Sequence, residues 1–223
     1  MPIFSEGIVL PAPSRADRKI QNVSKWHCTT HAVRGAGPGI RMQGESKLEM
    51  DHQSIQYAQP DVADIVEQVL FKFGWRNEKR HVFDMMVTKT SGERVACTVK
   101  PTSGLESQDF LGKMEVVAWW VQEKKFASSV RLLTEADIDP ITLHNANLNT
   151  ALHDSDPDAE AAVRKVASPL RGAISIKNLT DEVGLKERGY RAILRLISKR
   201  ELQPVHHERT TPNTLIQWKG HQS

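Results

Sequence analysis

From His81 to Pro101 the pattern of apolar and polar positions predicts two strands joined by a turn. Val82, Phe83, Met85 and Val87, then Val95, Cys97 and Val99, supply apolar, β-prone residues. Ser91-Gly92 between them is a turn signal, and Pro101, which has no N–H to give a ladder, stops the second strand. Asp84 breaks the first apolar run and Lys100 ends the second, and a plain hairpin needs neither. Upstream, Leu48, His52 and Ile55 are spaced for one face of a helix over residues 44–58, with Glu45 and Glu49 four apart on one side of it. Val62 to Phe73 reads as a partly alternating strand. After a loop from Thr102 to Glu106, a helix from Ser107 to Lys125 carries Phe110, Leu111, Met114, Val117, Ala118 and Val121 on its apolar face. Trp119-Trp120 beside that stripe reads as core and not as a base-stacking platform. Ser128 to Leu133 is a short strand. Helix, three strands, helix, strand is the order of an α/β core with a crossover helix.

The pattern then changes. Residues 141–170 read as a helical linker with an acidic patch at Asp154, Asp156 and Asp158. A short helix over 174–183, a turn at Gly184-Leu185 and a second helix over 186–200 have helix-turn-helix spacing, with Leu179, Val183, Leu185, Ile193, Leu196 and Ile197 as the buried side. The second helix carries Lys186, Arg188, Arg191, Arg195, Lys199 and Arg200. Pro204 to Trp218 reads as a β wing turning at Thr211-Pro212-Asn213. A basic helix followed by a wing points to DNA binding, with protein docking as its main rival. His206-His207 would meet phosphate from the wing.

The composition narrows this only a little. The 223 residues are 39% hydrophobic, enough for one large domain or two small ones. No apolar run is long enough to span a bilayer and no secretory leader is visible, so a cytoplasmic protein without a membrane partner is expected. Cys28 and Cys97 are then expected reduced. The formal charge of +3 permits nucleic-acid binding without demonstrating it. Residues 1–40 look irregular, broken by Pro and Gly and made basic by Arg15, Arg18, Lys19, Lys25 and Arg34. Such an arm suits a phosphate backbone or a solubilising tail. His27, Cys28 and His31 resemble half a zinc site, but no second pair follows at finger spacing.

Carboxylates near the ends of adjacent strands suit magnesium, which takes a few carboxylates together with waters and substrate phosphate. A lone aspartate at a strand start is commonly a turn device, and a lysine before proline is commonly solvated. Glu49 changes that weighing. Glu49 on a helix, then Asp84, then Thr98-Val99-Lys100, is the serial order of a restriction-endonuclease-like nuclease core. Ser46-Lys47-Leu48-Glu49, Ala63-Asp64-Ile65-Val66-Glu67-Gln68, Phe83-Asp84-Met85-Met86-Val87, Val99-Lys100-Pro101 and Leu132 to Ile138 together resemble the TnsA-type transposon endonucleases over about residues 40–140.

The resemblance implies a restriction-endonuclease-like core at 41–145, a helical linker at 146–167 and a winged helix-turn-helix domain at 168–220, behind a basic arm at 1–40. It implies an endonuclease subunit of a heteromeric transposase that cuts the 5′ side at transposon ends. Its partners would be DNA, a TnsB-like transposase subunit and an AAA+ transposition regulator. Glu49, Asp84 and Lys100 would be catalytic. Magnesium or manganese would be held by Asp84, Glu49, the Val99 carbonyl and Thr98. Thr98 departs from the family, where Glu or Gln is usual, and leaves the site one negative charge short of the acidic version. Two alternatives follow: a nuclease fold without activity that binds DNA or assembles partners, and a stand-alone restriction or repair nuclease.

Overall fold

The computed structural model describes residues 9–18, 29–35, 37–105, 108–152 and 155–220. The His27-Cys28 half-site lies outside them. The chain divides into two compact units, Met1–Gln56 with Asp61–Ile138 and Tyr57–Pro60 with Asp139–Ser223. The architecture is mixed α/β. Among the described residues no helix is long and apolar enough to cross a membrane.

The first unit holds a hairpin of β1 (Thr30–Arg34) and β2 (Ile40–Gly44), then helix α1 (Lys47–Tyr57). The irregular reading of residues 1–40 is corrected at β1. The glycines and proline after Arg34 read as breakers, yet β1 and β2 pair as a hairpin, from Arg34 with Ile40 to Thr30 with Gly44. Gly39 has φ +72°, and a Cβ there would lie 2.6 Å from a methyl of Val33, so only glycine closes this turn.

A four-stranded sheet follows, ordered β3 (Val62–Phe73), β4 (Lys79–Lys89), β5 (Arg94–Val99), β6 (Ser129–Leu133). The first three strands are antiparallel neighbours. β6 runs parallel to β5, which requires a crossover, and α2 (Gln108–Glu123) supplies it. One face of the sheet packs on α2 through Phe71, Phe83, Met86, Ala96, Met114 and Val121. The other packs on β2 and α1 through Ile65, Met85, Val87, Cys97, Met42 and Leu48. His52 ties α1 to the end of β6, its Nε2 lying 2.9 Å from the Thr134 carbonyl oxygen.

Face alternation slips on two neighbouring strands. Phe83 and Met86, three apart, share the α2 side, while Met85 and Val87 take the other. On β3, Val66 and Val69 share the α2 side in the same way. Strict period-2 alternation forbids this, so each strand carries an irregularity between those residues. Gln68 and Asp84 stand at it: the ladder pairs Glu67 with Met85 and Val69 with Phe83, and Gln68 has φ +50°.

The second unit contains α3 (Pro140–Thr150), α4 (Pro157–Ala167), β7 (Ile174–Ser175), α5 (Ile176–Val183), α6 (Lys186–Ser198), β8 (Leu202–Pro204) and β9 (Leu215–Trp218). Its antiparallel sheet is ordered β7-β9-β8. Ser175 caps α5 by accepting the Asn178 N–H at 3.1 Å, and Gly184 ends it at φ +72°. Residues 157–167, read from sequence as linker, form a core helix: Ala159, Val163 and Ala167 recur every fourth residue and are buried against Leu179, Ile193 and Leu196.

α4 and α6 are also joined by charge. Glu160 accepts from Arg195 Nε at 3.0 Å and from Lys199 Nζ at 2.5 Å, while Arg164 grips Glu201 at 2.7 and 2.9 Å. Glu160 and Arg195 are both buried. Removing one member of a buried pair leaves the other uncompensated, at a cost of about 3–5 kcal/mol. Glu160→Ala is therefore expected to lower stability by about that much in urea denaturation of the full chain. A loss within about 0.5 kcal/mol, as for an ordinary surface change, would contradict the assignment.

Candidate active site

Glu49 enters the site from the first turn of α1. Ser46-Lys47-Leu48-Glu49 forms a variant of the capping box: the Glu49 N–H donates to Ser46 Oγ at 3.1 Å, and the carboxylate accepts from Ser46 Oγ and the Glu45 N–H, each at 2.9 Å. The helix start therefore fixes the side chain, and Glu49 is buried. Gly44 lets this turn approach, because a Cβ there would lie 2.9 Å from Thr30 Oγ1 and 3.4 Å from Glu49 Cβ. Desolvation raises the Glu49 pKa, opposed by its bonds to Glu45 and Ser46.

Asp84, on β4, is half-buried. Its Oδ2 accepts the Val99 N–H at 2.7 Å, which fixes the carboxylate against β5. Desolvation, then repulsion from Glu49, pushes its pKa up to about 7.

Gln68, which sequence reasoning passed over, joins the two acids. It is fully buried, and its Nε2 lies 3.3 Å from Glu49 Oε2 and 3.5 Å from Asp84 Oδ1. Its Oε1 is held by Arg18, at 2.6 Å from Nη2 and 3.2 Å from Nε, which fixes the amide with its donors toward the acids. Arg18 also pairs with Glu45 at 2.7 Å. The N-terminal arm supports this backbone. The Asp17 N–H donates to the Gln68 carbonyl at 3.2 Å, and Asp17 Oδ2 accepts the Leu70 N–H at 2.9 Å. Arg15 clasps Asp64 at 2.6 and 2.9 Å. A glutamine in a strand normally signals a solvated position. The signal that could have found this one is that it stands opposite Asp84, another polar residue inside an apolar run.

The remaining expected residues lie differently. Thr98 Oγ1 is 3.1 Å from His81 Nε2, and that ring lies edge-on to Phe83 on the α2 side. Desolvation lowers the His81 pKa, so the imidazole is held toward its neutral form. Lys100 Nζ is 5.6 Å from the centroid of the Phe110 ring, also toward α2. Val99 contributes its N–H to Asp84. Thus Glu49 and Asp84 come together through Gln68, whereas Thr98 and Lys100 contact His81 and Phe110 toward α2. Burial pushes the Cys97 thiol up to about 12, so this free cysteine is not a poised nucleophile.

Among the described residues no group of three or more His, Cys, Asp or Glu side chains is placed to hold a metal. The pair alone still fits one hard cation. Its donors are carboxylate oxygens and both acids are desolvated; the Gln68 amide N–H now lies between them, in the place a bridging cation would take. Magnesium would complete its six positions with waters or phosphate oxygens. The donor set does not fit two metals.

On α6 and the two residues after it the six cations divide. Arg195 is buried on Glu160, Lys199 bonds the same carboxylate, and Arg188 holds Asp156 through two 2.9 Å bonds. Arg191 is half-buried, and Lys186 and Arg200 are exposed. The loop between β8 and β9 is fastened to α3. Asn145 donates to the Glu208 carbonyl at 3.0 Å and accepts the Thr210 N–H at 2.8 Å, while His207 meets Asp139 at 2.7 Å. His207 is thus engaged within its own unit.

The pH dependence of stability follows from Asp84. Its folded pKa, about 7, exceeds the ordinary 3.8, so between those values the folded state binds more protons than the unfolded one. Stability contributed by the protonated acid is complete below about pH 4 and is lost as pH rises toward 7. Asp84→Asn should therefore be more stable than the parent at pH 8, by about 2–4 kcal/mol without added metal, and the gain should vanish near pH 4. Urea midpoints measured across pH check this, and identical pH slopes for the two proteins would contradict it.

A scan of the chain against models of known protein families found no match, and a search of curated proteins found none either.

Proposed function

We propose that the chain is a metal-dependent DNA endonuclease of the TnsA kind, working as one subunit of a heteromeric transposase. The observation that carries this reading is the joining of Glu49 and Asp84, from helix and strand, through one buried amide. The element order α1-β3-β4-β5-α2-β6, with three antiparallel strands and a parallel fourth, supports a restriction-endonuclease-like core. The second unit, with three packed helices and a β7-β9-β8 sheet, supports a winged helix-turn-helix.

In this reading Glu49 and Asp84 hold the cation, and the Val99 N–H keeps Asp84 aimed at it. Bound magnesium supplies charge neutralisation at the scissile phosphate and an acidified water. Lys100 follows directly on Val99; to position the attacking water and offset developing charge, its ammonium would have to leave the Phe110 ring on the α2 side and come round the end of β5 to the phosphate. Lys186 and Arg200 are exposed cations of the second unit that would meet a DNA backbone. The 5′ side of the transposon end is the expected cut. A TnsB-like transposase, with an AAA+ regulator, would handle the rest.

A second reading is a nuclease fold that binds DNA without cutting it. Its observation is that Glu49 already serves as a helix cap, while the Thr98 hydroxyl is engaged by His81.

The two readings part in a nicking assay on supercoiled DNA with magnesium or manganese, with and without a TnsB-like partner. Cutting that falls roughly a hundredfold or more in Asp84→Ala and in Lys100→Ala supports the enzyme. Thr98→Glu, which restores an acid at the third position, is expected to cut faster. Salt-dependent binding with no cutting under any of these conditions supports the binder. Cutting that survives Asp84→Ala contradicts the proposed site.

A further inference from the structure

The first unit exposes an aromatic surface that its fold does not require. Trp75, in the turn between β3 and β4, is 84% exposed, and Trp119 on α2 is 50% exposed. Sequence alone had assigned Trp119 to the core. Both indoles stand edge-to-face against Trp120, with centroids at 5.0 and 4.8 Å, so three tryptophans form one continuous cluster. α2 buries Met114, Val117 and Val121 inward, yet Leu111 and Val116 also face solvent at 42% and 48%. Indoles bury 150–250 Å² each when they pack, so leaving two open on one surface forgoes a large favourable term.

Cations surround the cluster. Lys124 Nζ lies 5.6 Å from the Trp120 centroid and is anchored to Asn77 Oδ1 at 2.5 Å. Arg76, Lys79, Arg80 and Lys125 are exposed and make no ion pair with another described residue. The nearby acids are partly engaged. Glu78 turns back to accept the Arg76 N–H at 2.8 Å, and Asp109 is paired with Lys113 at 2.9 Å. Glu115 and Glu123 remain exposed on α2. Free positive charge therefore exceeds free negative charge around the indoles.

A cavity of about 450 Å³ opens between β4 and α2. Phe73, Val116 and Val117 give it apolar lining, and Lys79, Arg80, His81 and the paired Lys113 and Asp109 line it as well. Apolar lining beside Lys79 and Arg80 suits a flat ring carrying phosphate, and the volume lies within the usual range for a small-ligand pocket.

From these observations we infer that the β3–β4 turn and the outer face of α2 form a binding groove for single-stranded nucleic acid. Bases stack on Trp75 and Trp119, and phosphates run past Arg76, Lys79, Arg80 and Lys124. Aromatic faces interleaved with mobile cations are what an unpaired strand recognises, because its bases present their faces. A duplex hides those faces. A stable protein partner favours an interface core depleted of lysine. Asp84 lies five positions on from Lys79 along β4, roughly 17 Å of strand. The inference does not depend on the metal pair, since the groove involves neither Glu49 nor Asp84.

Fluorescence anisotropy of the full chain in EDTA tests it, with labelled 15-mers of oligo-dT, oligo-U and a duplex. Tryptophan quenching by the unlabelled oligomers is read alongside. Oligo-dT should bind with quenching. Trp75→Ala and Trp119→Ala should each weaken it about tenfold. Lys79→Glu with Arg80→Glu should weaken it and flatten its salt dependence by about 0.7 per lost contact. Oligo-U bound equally well would place the recognition in bases and phosphates, as proposed. Trp75 is so exposed that its replacement should leave the melting temperature unchanged. The inference is overturned if oligo-dT binds the tryptophan variants as tightly as the parent. Binding of the duplex alone overturns it too, as does sedimentation showing a dimer that Trp75→Ala dissolves while no oligomer binds. Because EDTA removes any metal chemistry, failure of the nuclease reading would leave this result standing.

Discussion

The charge of Asp84 is the constraint around which the first unit is built. Its carboxylate is largely withdrawn from water, faces a second acid at Glu49, and among the described residues is hydrogen-bonded by the neutral amide of Gln68 and the N–H of Val99. Ionised carboxylates so placed are costly unless positive charge joins them. Among the described residues that charge comes as far as Arg18, whose guanidinium reaches the carbonyl end of Gln68 and so polarises the amide toward the acids. A divalent cation would resolve the same conflict directly. The proposed reading gives that part to magnesium.

Other features of the unit follow from holding these groups together. Gln68 sits in the left-handed region in mid-strand, which for a non-glycine residue costs about 1–2 kcal/mol. The slip in alternation on both β3 and β4 sets Gln68 and Asp84 at the same irregularity, without moving the apolar residues on either side out of their cores. The arm then satisfies the displaced backbone through Asp17 and the amide oxygen through Arg18. Local strain kept by surrounding contacts is common where a protein acts on something. α1 meets the same demand from the other side, where one carboxylate both caps the helix and faces the site.

Much of this was legible in the chain. Apolar spacing marked α1, the central strands, α2 and the helical pair α5–α6, because each is amphipathic at its own period. Asp84 was legible as a polar break between Phe83 and Met85. Gln68 was not, since its burial depends on a backbone angle that no local pattern encodes. β1 was hidden by the glycines that make its turn possible. α4 was obscured by Asp156 and Asp158 at its start, although Ala159, Val163 and Ala167 carry the spacing of a buried face. On α6 a row of cations looked like one solvent-facing surface. Arg188, Arg195 and Lys199 instead turn toward Asp156 and Glu160 on α4, acids that lie 32 to 39 residues away in sequence. Charge runs show where cations are, but only tertiary structure shows which of them are already neutralised.

The account rests on Asp84 being an acid whose charge the fold leaves incompletely compensated until a cation arrives. Carboxyl NMR of the ¹³C-labelled full chain measures this directly, by titrating Asp84 with and without magnesium. The predicted result is a pKa near 7 in metal-free protein that falls by at least about one pH unit when magnesium is added. A value near the ordinary 4 under both conditions would contradict it.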